Sequence, residues 1–234
     1  MNALAKKLGL SDELAFYDVY SFDEPELLAH IPRPVHALLV IIPPTPAWKA
    51  DREKEDIALG DATSYYHGGP AGTGGEPIIW FEQTIGDACG SYGLLHCAVN
   101  GATSKFILPG STLEQLRNAA LPLAKDERAQ MLYDSSAFEE AHKSVAGQGD
   151  TPEPPIGGSE HKGHFVAYVK ANGHLWELEG CRNGPLDRGE LGKDEDLLSP
   201  RALELGLKRI IKLVSDSGEE DLRFSCIALA PKDT

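Results

Sequence analysis

The longest uninterrupted apolar stretch of the chain is residues 35–42, with His36 inside it and Pro43-Pro44 closing it. A run of strand length without polar alternation predicts a central strand buried on both faces. Residues 164–169 (HFVAYV) predict a second strand, and Asn172-Gly173 is a hairpin turn into a third at residues 174–178. A last strand is predicted at residues 224–230. Residues 78–81 (IIWF) read as a short buried strand. Gly86 and Asp87 then punctuate a turn, and from Cys89 the pattern becomes helical through Leu94, Leu95, Cys97, Ala98 and Val99, with Asn100-Gly101 as its stop. Cys89 therefore stands at a helix N-terminus.

The other elements are more local in origin. Leu4, Leu8 and Leu10 predict an amphipathic helix cut at Gly9, and residues 13–19 suit strand or coil. Asp23, Glu24 and Pro25 open a short helix stopped before Pro32 and Pro34. A charged helix is predicted over residues 48–58. Ser111 with Glu114 and Ser136 with Glu139 have capping-box spacing and open two helices on either side of a helical stretch at residues 125–133. Ser199-Pro200 starts a helix running to Leu213. Two segments are rich in glycine and proline, residues 65–77 and 147–163, and both read as loops. The second has one large apolar residue, Ile156, in 17 positions. It buries too little to order itself, and a loop of that length inside a domain points to function.

Composition narrows the classes. A chain of 234 residues suits one domain spanning residues 1–234. Its 22 Lys and Arg against 36 Asp and Glu leave a net charge of −14, which repels nucleic acid and favours basic partners. Four scattered cysteines and the absence of a leader pattern after Met1 fit a reducing cytoplasm or nucleus. No apolar run approaches the roughly 20 residues of a membrane helix.

The chemistry centres on Cys89. Unpaired N–H groups at a helix start stabilise a thiolate and, later, an oxyanion at the same place. Gln83, just before the turn, offers an amide as a second oxyanion donor. Zinc is the competing chemistry, since Cys89, His96, Cys97, Cys181 and His164 are suitable residue types, but no C-x-x-C or H-x-x-x-H pair is present. The glycines of residues 68–75 lack the Lys-Ser/Thr of a phosphate loop. No metal or cofactor is expected.

Gln83-Thr84-Ile85-Gly86, Ala88-Cys89-Gly90-Ser91 and Leu94-Leu95-His96 closely resemble the active-site segment of the ubiquitin C-terminal hydrolases, a family of papain-like cysteine proteases. KLGL at residues 7–10, PRPVHALL at 32–39, HFVAYV at 164–169, NGHLWELEG at 172–180, Asn183-Gly184-Pro185 and residues 225–230 extend the resemblance over nearly the whole chain. It implies an α/β (α+β) fold with a central antiparallel sheet flanked by helices and a knotted backbone. It also implies cleavage after the C-terminal glycine of ubiquitin, freeing it from small adducts, peptides or precursors.

The implied roles are Cys89 as nucleophile, His164 as base, Gln83 and the Cys89 N–H as oxyanion donors, and Glu179 as the group that orients His164. His161, three residues from His164, is the alternative base. His96 lies two helical turns from Cys89, about 10 Å by helical rise, too far to touch the thiol. The family has aspartate where Glu179 stands, and Glu177, two residues away on the same strand face, is a second carboxylate able to orient the imidazole. The alternatives to a ubiquitin hydrolase are a hydrolase for a related modifier such as NEDD8 and a weakly active ubiquitin-binding module. The expected partners are ubiquitin or its adducts, with a monomeric chain. The loop at 147–163 is expected to arch over the cleft and admit small leaving groups.

Overall fold

The computed structural model describes residues 1–60, 78–146, 163–218 and 223–233. The expected loops at 65–77 and, save Gly163, at 147–163 lie outside the described residues, as does His161. Strands β1 (Leu14–Asp18), β2 (Ala37–Ile42), β3 (His164–Ala171), β4 (His174–Leu178), β5 (Leu186–Glu190) and β6 (Ser225–Pro231) form one antiparallel sheet in the order β1-β6-β2-β3-β4-β5. The apolar run of residues 35–42 thus supplies a central strand, hydrogen-bonded to β6 on one side and β3 on the other.

Successive side chains of β2 point to opposite faces, and both faces are covered. Ala37 and Leu39 join a core built with α1 (Asn2–Leu8) and α4 (Cys89–Val99). Leu38, Val40 and Ile42 join a second core built with α8 (Pro200–Leu205) and α9 (Leu207–Asp216), and with Trp48 of α3 (Pro46–Leu59). A short α2 (Pro25–Leu28) precedes β2, and α5 (Thr112–Ala120), α6 (Lys125–Tyr133) and α7 (Ser136–Ala146) form the helical lobe after α4. Among the described residues no helix is long and apolar enough to cross a membrane.

The structure departs from the sequence pattern in four places. Residues 78–81 are extended and buried but join no sheet, because their backbone is satisfied by side chains of α4 and its C-cap: Asn100 Oδ1 accepts from Ile79 N (2.7 Å) and His96 Nε2 from Phe81 N (3.0 Å). The cap of α7 is Ser135 rather than Ser136, with Phe138 N donating to its Oγ at 3.3 Å. The helix predicted from Ser199 breaks at Gly206, where a Cβ would stand 3.2 Å from both the Tyr168 ring and Ala202 O. The fourth departure is β5, which pairs with β4 at the sheet edge through a register shift and shows no apolar alternation.

Candidate active site

The nucleophile candidate is placed by how α4 starts and where it rests. Ala88 has non-helical dihedrals (φ −98, ψ 9), its carbonyl accepts from Ser91 N and Tyr92 N, and no side chain caps the helix. The first N–H groups are therefore left facing the cysteine. Gly93 lets the helix lie directly on β2, since a Cβ there would come within 2.5 Å of Leu39 Cδ1. Cys89 is half-buried. Burial raises its thiol pKa above the usual value, while the N–H groups of Phe165, Gly90 and Cys89 itself oppose the rise.

The segment before α4 is held at both ends. His96, fully buried, accepts from Phe81 N, and burial lowers its pKa to about 4, so it serves as a neutral brace. Trp80 Nε1 donates to Glu179 O at 3.0 Å, and Gln83 N donates to Gly180 O at 2.7 Å. Glycine is needed at 180, because a Cβ would lie 2.8 Å from Gln83 Cβ. These contacts tie the Gln83 backbone to the turn that carries Glu179. The Gln83 amide gives one hydrogen bond to Ile85 O (3.1 Å), and among the described residues its second N–H has no acceptor.

His164 is the first residue of β3 and pairs with Ile42 at the end of β2. Its Nε2 lies 2.7 Å from Oε1 of Glu179, whose side chain is fully buried. The Cys181 N–H donates to the same oxygen at 3.0 Å. The other oxygen, Oε2, is 3.3 Å from Arg52 Nε and 3.6 Å from Arg182 Nε, within ion-pair reach. Burial pushes the Glu179 pKa up, but His164 and the two guanidiniums outweigh it and the net shift is down. Trp48 packs against the imidazole with ring centroids 5.6 Å apart, and Arg52, one helical turn on, covers the indole at 5.5 Å. Arg52 also donates to Cys181 O at 2.7 Å.

Glu177 is committed elsewhere. Its carboxylate accepts from Tyr168 OH (3.0 Å), Arg188 Nε (2.8 Å) and Arg182 Nη2 (3.2 Å), and it does not reach the imidazole. His174 is at the far end of the β3–β4 hairpin, where it pairs with Asp187 at 3.0 Å.

Four candidate residues are thus gathered from three places: Gln83 and Cys89 around the start of α4, His164 opening β3, and Glu179 just past β4. The five zinc ligands weighed from sequence do not converge as a set, though two of them, His164 and Cys181, lie close together. Cys97 is buried against β2, its thiol directed at Leu38 O (3.7 Å), and Nε2 of the fully buried His96 is taken by the Phe81 N–H. With Glu179 added, His164 and Cys181 bring one possible ligand atom each within 4.8 Å of one another. Trp48 and Arg52 were missed from sequence, and Cys181 was weighed only as a zinc ligand, not as a neighbour of His164 and Glu179. The i,i+4 spacing of Trp48 and Arg52 on a predicted helix was the available signal for the first two.

A cysteine at a helix start and a carboxylate-bound histidine at a strand start, with one antiparallel sheet between helical layers, give the chain a papain-like architecture. The family model for ubiquitin carboxyl-terminal hydrolase, family 1, matches residues 1–212, and the chain belongs to this family. It is 32% identical to ubiquitin carboxyl-terminal hydrolase YUH1 of Saccharomyces cerevisiae over 97% of this chain and 90% of that protein. It is 30% identical to ubiquitin carboxyl-terminal hydrolase 3 of Arabidopsis thaliana over 99% of this chain and 90% of that one. In fold it is similar to the Trichinella spiralis UCH37 catalytic domain bound to ubiquitin vinyl methyl ester, with a TM-score of 0.71, 22% identity, and coverage of 99% of this chain and 91% of that chain.

Proposed function

We propose that this chain is a cysteine-type ubiquitinyl hydrolase that cleaves the bond after the C-terminal glycine of ubiquitin, with its residues working as one catalytic unit. Cys89 Sγ attacks the glycine carbonyl while His164 Nδ1 takes the thiol proton. His164 then delivers that proton to the leaving amine or alkoxide, and a thioester remains. Water, deprotonated by the same imidazole, hydrolyses the thioester and regenerates the thiol. Each tetrahedral oxyanion is held by the Cys89 N–H and the spare Gln83 amide hydrogen.

The observation that carries these roles is the 2.7 Å contact between His164 Nε2 and the buried Glu179 Oε1. A carboxylate accepting the Nε2 hydrogen leaves the Nδ1 lone pair as the base, and Phe165, the next residue, turns its N–H toward the Cys89 sulfur. The glutamate in place of the family aspartate therefore reaches its target, which favours an enzyme over a bare binding module. The net charge of −14 suits a basic modifier tail and speeds encounter by steering. The proposed setting is a monomer in the cytoplasm or nucleus.

The test is covalent labelling by ubiquitin carrying an electrophilic C-terminus, beside the same probe built on NEDD8. Ubiquitin labelling at Cys89, lost in Cys89→Ala, supports the reading. Faster labelling by the NEDD8 probe would transfer the substrate assignment, and labelling away from Cys89 would remove the nucleophile.

A further inference from the structure

Cys181 has no role in that hydrolysis, yet its thiol stands beside the imidazole. Its Sγ, a ring nitrogen of His164 and a carboxylate oxygen of Glu179 lie within 4.8 Å of one another, with Cys181 exposed and Glu179 fully buried. A tetrahedral zinc ion, with Zn–S near 2.3 Å and Zn–N or Zn–O near 2.0–2.1 Å, sets its ligand atoms roughly 3.3–3.8 Å apart. The Nε2···Oε1 separation of 2.7 Å has to open to about 3.3 Å as an ion takes the place of the hydrogen between them. The exposed thiol closes in by about 1 Å through rotation of its side chain.

The donor set is one imidazole, one carboxylate and one thiol, a borderline-soft combination that suits zinc better than magnesium or calcium. A carboxylate and a thiolate together neutralise a dication. Two guanidiniums oppose it, but both lie against Oε2 and leave Oε1 free of them, and both are shared with other acids. Arg182 pairs with Glu177 at 3.2 Å and Glu55 at 3.0 Å, and Arg52 with Asp56 at 3.8 Å.

We propose that His164, Glu179 and Cys181 form an inhibitory site for a thiophilic divalent cation, zinc above all. On binding, the Cys181 thiol releases one proton to solvent and the imidazole hydrogen moves from Nε2 to Nδ1, so that the Nε2 lone pair bonds the metal. No electron is transferred. Nδ1 then carries a hydrogen in place of its lone pair, and His164 cannot accept the Cys89 proton. The mechanism of inhibition rests on the proposed role of His164, whereas the site itself does not.

The two parts are separated by measuring metal binding on Cys89→Ala protein, which has no turnover. Zinc should bind with 1:1 stoichiometry in competition with a chromophoric chelator, and cobalt should give a thiolate-to-metal charge-transfer band in the near ultraviolet. Adding Cys181→Ala should abolish that band and weaken zinc by more than the roughly 10–100-fold that loss of an outer-shell partner costs. In the otherwise wild-type enzyme, zinc should inhibit ubiquitin hydrolysis reversibly on chelation. Cys181→Ala should keep most basal activity, since the 3.0 Å bond to Glu179 comes from the backbone N–H and the thiol adds only weak contacts to Glu179 and, at 3.9 Å, to Gln83 Oε1, and it should escape inhibition. Equal zinc sensitivity in Cys181→Ala, or a cobalt spectrum unchanged by that substitution, would overturn the site. If metal binds as described but ubiquitin is not hydrolysed, the proposed function fails and the site stands.

Discussion

Glu177 and Glu179 sit two residues apart, on the same side of β4 and the turn that follows it, yet their surroundings differ completely. Glu177 lies within the sheet, where β3 supplies Tyr168, β5 supplies Arg188 and the following turn supplies Arg182, and those groups use its acceptor positions. Arg188 and Arg182 are both tied to Glu55 of α3, with Nη2 to Oε2 distances of 2.9 and 3.0 Å. Burial raises the Glu177 pKa, but Arg188 and Arg182 more than reverse this and bring it to about 2. Glu179 lies one step beyond the strand, where the first residue of β3 comes alongside. It shares one oxygen between His164 and the Cys181 N–H and gives the other to two guanidiniums. A buried carboxylate is stable only with partners. Which partners the sheet brings alongside decides whether it braces the fold or orients an imidazole.

The largest expected effect is on catalysis at the Glu179 end. Glu179→Ala should lower kcat by about 10²–10⁴-fold, the range of a general base that has lost its orientation. A kcat equal to wild type would show that His164 needs no carboxylate. Gln83→Ala should cost about 10²–10³ in kcat, because one oxyanion donor is worth roughly 2.7–4 kcal/mol. An unchanged rate would take Gln83 out of the mechanism.

Glu177→Ala should act the other way round. Leaving Arg182 and Arg188 without their buried acceptor should cost about 3–5 kcal/mol of stability, read by denaturant unfolding, with kcat of the folded fraction within a few-fold of wild type. A large kcat loss without destabilisation would erase the contrast between the two carboxylates.

Acid unfolding should resolve the two regions. His96, with a pKa of about 4 in the fold against 6.5 for a free imidazole, adds stability that is complete above pH 6.5 and is lost as pH falls from there to about 4. Glu177, at about 2 against 4.5, holds its contribution above pH 4.5 and loses it on the way to about 2. Stability against pH should therefore fall in two stages of a few kcal/mol each. His96→Gln should shrink the upper stage, to which the half-buried His36 also contributes, and leave the lower one, and loss of both stages together would contradict the assignment. The smallest effect is that of Glu179→Asp. With the carboxylate withdrawn by one methylene, the hydrogen bond to His164 weakens and kcat should fall about 10-fold, in keeping with roughly 0.5–1.5 kcal/mol for one such bond.

Legibility followed the reach of the interactions. The strands at 35–42 and 164–169, the hairpin at Asn172-Gly173 and the helix starting at Cys89 were readable because each depends on a local pattern. Residues 78–81 looked like a strand because burial and β-branching are shared by strands and by extended segments braced from outside. Their partners are Asn100 and His96, fifteen residues or more along the chain. Strand β5 was hidden for the opposite reason. Its LDRGE sequence has no apolar stripe, and Arg188 is held by acids from β4 and α3.

By itself the sequence determined the family, the thiol at a helix start, the histidine at a strand start and the presence of two nearby carboxylates, all of which depend on residue type and short spacing. Only the tertiary structure decided between Glu177 and Glu179, brought Trp48 and Arg52 against the imidazole and its carboxylate, and set the Cys181 thiol beside them. Those choices depend on strand register and on which helix crosses the end of the sheet, distances of a few ångströms across strands and, for Trp48 and Arg52, between residues more than a hundred positions apart, which no local pattern encodes.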